Sequence, residues 1–78
     1  MKTTEEIWFD YQNKLSSFIR SRVDNDAVED ILQDVFVKVY TRLDSLKENA
    51  KLESWLYQIT RNAVVDYYRA KRPTANLP

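Results

Sequence analysis

The chain has no glycine, no cysteine and no histidine, and only two prolines in 78 residues. Without glycine, tight hairpins and phosphate-cradling loops lose the residue that tolerates their backbone geometry, and an all-helical domain suits the composition best. Without cysteine there is neither a disulfide framework nor a thiolate metal site, a usage that fits a cytoplasmic protein. Without histidine the commonest general base and metal ligand are missing together. The longest apolar runs are three residues, as in Val35-Phe36-Val37, and the opening MKTTEEIW has no apolar core region. Neither a transmembrane span nor a signal peptide is therefore expected. No enzyme is expected either, because no metal-spaced cluster or glycine loop is present to serve a cofactor or a metal.

What is present is 44% apolar and 13% aromatic residues, enough for a compact core in one small domain. A chain of this size buries only about 60% of the surface that its unfolded form exposes. Lysine plus arginine and aspartate plus glutamate number twelve each, but they are segregated. Residues 24 to 34 hold Asp24, Asp26, Glu29, Asp30 and Asp34 and no base, whereas residues 54 to 78 hold Arg61, Arg69, Lys71 and Arg72 against Asp66. Zero net charge thus conceals an acidic segment and a basic one.

The spacing predicts three helices. The first runs from about Glu5 to Val23, opened by a Thr3–Glu6 capping box, with Ile7, Trp8, Tyr11, Leu15, Phe18, Ile19 and Val23 as its core stripe. The second runs from Ala27 to about Leu43, with Asp26 as N-cap. Its apolar stripe is Val28, Ile31, Leu32, Val35, Phe36, Val39 and Leu43. The DNDAVED run that precedes it is no calcium loop, since the sixth and twelfth positions from Asp24 are Glu29 and Val35 instead of glycine and glutamate. DSLKENAK, residues 44 to 51, is a longer and partly ordered connection. The third helix runs from about Ser54 to Arg72, where Pro73 stops it. Leu56, Ile59, Ala63, Tyr67 and Ala70 line its core side, extended by Leu52, with Trp55 packing at the loop junction. Residues 1–72 then form the domain, and 73–78 begin a linker.

Two faces are left over. Asp30, Gln33, Asp34, Val37 and Thr41 lie opposite the core stripe of the second helix. That face reads either as a solvated surface with acids serving the helix dipole, or as a docking surface for a basic partner around an apolar centre. On the third helix, Tyr57, Arg61, Val65, Tyr68 and Arg72 lie opposite the core. Rings interleaved with cations suit unstacked bases, but a tyrosine-rich surface would look the same. A helix-turn-helix is disfavoured by the length of the connection, about twice the usual three or four residues. A helical protein-interaction module without any DNA role also remains open on these residues.

EDILQDVFVKVYTRLDSL followed by SWLYQITRNAVVDYYR resembles region 2 of bacterial RNA polymerase sigma factors, of the extracytoplasmic-function (ECF) group. The likeness is close over residues 29 to 72. It implies a compact three-helix, all-α domain with core RNA polymerase and promoter −10 DNA as partners, and it admits an anti-sigma factor as a third. It further implies that Asp30, Gln33, Asp34 and Val37 dock on the clamp helices of the largest subunit. The non-template single strand of the −10 element would meet Lys47, Asn49, Ala50 and Lys51 in the loop. Ser54, Trp55, Arg61 and Asn62 would line the melting segment, and Tyr68, Arg69 and Arg72 the promoter-facing helix. Glu48 stands where many members carry glycine, and region 4, which reads the −35 element, has no counterpart in these residues.

Overall fold

The computed structural model describes residues 3–71, with the side chain of Lys71 excepted. It contains α1 (Thr4–Arg20), α2 (Asn25–Arg42) and α3 (Leu52–Lys71), and between α2 and α3 two short 3₁₀ turns, Leu43–Ser45 and Asn49–Lys51. The three-helix, all-α architecture expected from composition is the architecture found. Arg72 and the linker assigned to 73–78 lie outside the described residues.

The capping box at α1 forms as the sequence indicates. The Thr3 hydroxyl accepts from the Glu6 amide at 3.2 Å, and the Glu6 carboxylate accepts from the Thr3 amide at 3.0 Å. Two backbone donors that the first turn would leave open are thereby satisfied. The helix stops at Arg20, three residues short of the expected Val23. Ser21 caps it in right-handed geometry, and the amides of Arg22 and Val23 both bond back to Ile19. No described residue has positive φ, in keeping with a chain that has no glycine to supply it.

At α2 the expectation about Asp26 is corrected. Asp24 holds the extended N-cap position, and the Ala27 amide bonds to its carbonyl at 2.9 Å, with no side-chain capping bond. Asp26 falls inside the first turn, where its charge still complements the positive helix end. The short 21–24 connection folds α2 back along α1, and Trp8 meets Phe36 edge-on with ring centroids 5.0 Å apart.

The core is continuous across the three helices. Ile7, Leu15 and Ile19 come from α1, Ala27, Val28, Ile31, Val35 and Val39 from α2, and Leu56, Ile59, Ala63 and Val64 from α3. Leu15, Ile19, Val35, Val39 and Leu56 are fully enclosed. Each such aliphatic side chain contributes about 1.5–3 kcal/mol relative to exposure.

On α3 the buried stripe is wider than its apolar spacing suggests. Thr60 and Val64 are buried, and Tyr57 is half-buried with its ring edge-to-face against Phe18 at 5.5 Å. The reason is that α3 packs on both α1 and α2, so two adjoining strips of its surface turn inward. Thr60 fits in the core because its hydroxyl donates to the Leu56 carbonyl at 2.8 Å. Two expectations fail here. Tyr57 belongs with the core instead of the outer face, and Ala70, near the helix end, is exposed.

Candidate protein-docking and nucleic-acid interface

On α2 the burial pattern leaves one continuous outer strip. Asp30, Gln33, Asp34, Val37 and Thr41 are all exposed, and Val37 shows 55% of its surface although it is an aliphatic residue in mid-helix. The Thr41 hydroxyl turns back to the Val37 carbonyl at 2.9 Å. Asp34 pairs with Lys38, one turn on, at 3.0 Å, and Lys38 reaches Asp66 of α3 at 3.6 Å. The Lys38 side chain is only 22% exposed, so one cation lies wedged between the acidic strip of α2 and the flank of α3. Such a pair in open solvent contributes little; here its geometry matters more, because it orients the Asp34 carboxylate.

The second set of residues spreads along the 43–51 connection and the length of α3. Lys47, Asn49, Ala50 and Lys51 are exposed, and Lys51 lies 3.8 Å from Glu48. Glu48 therefore partly offsets the charge of the neighbouring lysine. Ser54, Arg61, Asn62 and Arg69 are exposed on α3. Trp55 is half-buried and packs on the core, as expected at the loop junction. Tyr68 is 47% exposed, but its hydroxyl is engaged by the Arg22 carbonyl and its ring meets Tyr67 edge-on. From Ser54 to Tyr68 the helix spans about 21 Å at 1.5 Å per residue, so these side chains form a track and not a pocket.

Not all of them gather. Asn62 and Arg69 line one cleft against α2, whereas Tyr68 turns towards the α1–α2 connection. The same cleft holds Lys38 and Arg42, two bases that sequence spacing alone leaves unassigned. Phe9, 77% exposed on α1 beside Glu5, Glu6 and Asp10, is likewise a feature the spacing gives no hint of. Among the described residues no cluster of acids could hold a metal ion, and no helix is long and apolar enough to cross a membrane.

With this geometry in hand, the comparisons are specific. Residues 8–74 match sigma-70 region 2. The chain is 40% identical over 75 residues to RNA polymerase sigma factor SigZ of Bacillus subtilis, covering 95% of this chain and 43% of that protein. It is 37% identical over 68 residues to ECF RNA polymerase sigma factor SigM of the same organism, covering 86% and 41%. With the ECF RNA polymerase sigma-E factor of Escherichia coli the identity is 34% over 68 residues, covering 85% and 36%. No solved structure matches the chain. The chain belongs to the sigma-70 region 2 family, in its ECF group. Members of that family are transcription initiation factors, not enzymes. The chain spans about two fifths of the length of these relatives.

Proposed function

We propose that this domain joins core RNA polymerase to promoter −10 DNA at transcription initiation, using one face for each. The outer strip of α2 docks on the clamp helices of the largest subunit: Asp30, Gln33 and Asp34 make polar contacts around Val37. The 47–51 loop and the outer side of α3 hold the separated non-template strand, with Lys47, Asn49, Ala50, Lys51, Ser54 and Trp55 at one end and Arg61, Asn62, Tyr68 and Arg69 along the helix. Arg72 continues that series in the sequence. An anti-sigma factor is a further partner that would compete for the same faces. The domain acts in the cytoplasm, where polymerase and DNA are.

The observation that carries the reading is the exposure of Val37 amid unburied acids and Gln33, a strip that the core of the domain does not need. An apolar centre ringed by directional polar groups suits a protein interface better than a solvated helix face. The basic side supports the second half. Arg61, Asn62 and Arg69 have no partner among the described residues, leaving their donors available to phosphates and base edges. Unstacking a base costs a few kcal/mol, and stacking on an aromatic ring returns about 1–3 kcal/mol, so strand capture needs binding alone and no bond-breaking chemistry.

The test of the DNA half is a titration of a fluorescent single strand carrying the non-template −10 region with the complex of core polymerase and this chain. Arg61→Ala is expected to weaken binding several-fold, and Asn62→Ala to alter the preference between strand sequences. Binding indifferent to both substitutions would contradict this half and favour a protein-interaction module without a DNA role.

A further inference from the structure

Between α2 and α3 lies an open, predominantly polar cleft of about 300 Å³. Ile59 and Val65 contribute its apolar part, and Lys38, Arg42, Asn62, Asp66 and Arg69 its polar part. Three cations thus face one carboxylate. Their pairing is uneven: Asp66 is taken by Lys38 at 3.6 Å, and Lys38 is further held by Asp34 at 3.0 Å. The guanidinium groups of Arg42 and Arg69 make no ion pair or hydrogen bond with any described residue, and the Asn62 side chain is equally unengaged; the Arg42 carbonyl alone accepts, from the Ser45 hydroxyl at 2.7 Å. Two arginines on different helices, with an asparagine beside them, therefore line one cleft whose only acid among the described residues is already paired.

We propose that this cleft seats a phosphodiester group of the DNA backbone, with Arg42 as its ligand from α2 and Arg69 as its ligand from α3. The planar guanidinium fork matches two phosphate oxygens at once, which a lysine ammonium cannot do. Asn62 offers a neutral donor to the same group. Lys38 does not bind the phosphate; it keeps Asp66 from capturing either arginine. The inference rests on the DNA reading above and extends it to α2, the helix otherwise assigned to polymerase. It also fixes the position of the nucleic acid across the groove between two helices, so that the strand is gripped from both sides of the cleft and not merely laid along α3.

The test is the salt dependence of binding by the 78-residue chain to a short labelled single strand and, separately, to its duplex. Each neutralised phosphate adds about 0.7 to the magnitude of the slope of log K against log salt for a single strand, and about 0.9 for a duplex. Arg42→Ala and Arg69→Ala are each expected to weaken binding several-fold, and the double variant to lower the slope by that amount, because either arginine left alone still carries one charge to the phosphate. Lys14→Gln removes a cation outside the cleft and is expected to leave the slope unchanged. A fall confined to one of the two probes identifies whether the phosphate belongs to single-stranded or duplex DNA. An unchanged slope in the double variant, with Arg61→Ala still weakening binding, overturns the cleft assignment and leaves the DNA reading standing. If neither probe binds the wild-type chain, the same titrations are made with its complex with core polymerase, and failure there overturns the DNA reading and the cleft together.

Discussion

The hydroxyl of Tyr68 donates a hydrogen bond to the backbone carbonyl of Arg22, tying the last turns of α3 to the segment that follows α1. Arg22 is itself fixed there. Its guanidinium lies 3.8 Å above the centre of the Phe18 ring and donates to the Ser21 hydroxyl at 2.8 Å. Phe18 in turn meets Tyr57 of α3. One end of the bundle is thus closed by side chains from α1 and α3, and the ring of Tyr68 is held there against Tyr67.

Tyr68→Phe keeps the ring and deletes the bond. Because the Arg22 carbonyl remains accessible to water, the expected destabilisation is about 0.5–1 kcal/mol, measured by urea unfolding. If Tyr68 serves DNA through its ring face, strand binding by the folded variant changes less than twofold, whereas Tyr68→Ala weakens it clearly. Equal weakening of binding in the two variants would mean that the hydroxyl, and not the ring, is what matters.

Leu56 and Thr60 are both fully enclosed one turn apart on α3, yet they respond differently to substitution. Leu56→Ala leaves a cavity at the junction of three helices and is expected to cost about 2–5 kcal/mol, a large share of the stability of so small a domain. Thr60→Val is expected to change stability by less than about 1 kcal/mol. The carbonyl that its hydroxyl addresses is also a helical backbone acceptor, so no buried group is left unmet. Thermal melts of the two variants check the contrast.

Lys38 joins Asp34 to Asp66, and Lys38→Met retains most of its packed stem while removing the charge. The unfolding free energy is expected to fall by no more than about 1 kcal/mol, the usual range for ion pairs with solvent access. The larger effect is expected on partner binding. Asp34 loses the cation that orients it, and Asp66 is released towards Arg42 and Arg69. Isothermal titrations with polymerase and with DNA separate these consequences from a general loss of fold.

Most of the fold is legible in residue spacing because α1 and α2 each bury one stripe of ordinary width. Ile7, Leu15 and Ile19, and Val28, Ile31, Val35 and Val39, are core residues at helical intervals, and all are buried. The third helix resists that reading because two neighbours bury two strips of it. Thr60 is polar, Val64 falls between stripes, and Tyr57 lies opposite the apolar spacing, although Phe18 covers it. The helix start at Asn25 depends on the backbone at Asp24, in a run where Asp24, Asn25 and Asp26 are all competent caps. The acidic strip of α2 is legible as the complement of a clean stripe. The cleft is not, because it pairs Lys38 and Arg42 with residues of the next long helix, a relation that only the packing of α2 on α3 creates.

The division of the surface into a polymerase face and a DNA face is tested most directly by titrating the chain with a clamp-helix fragment of the polymerase largest subunit. Wild type, Asp34→Lys and Arg61→Ala are compared, each shown to be folded by circular dichroism. Saturable binding by wild type and Arg61→Ala, abolished in Asp34→Lys, is the result this account predicts. No binding by the wild type, or binding that Asp34→Lys leaves intact, would contradict it.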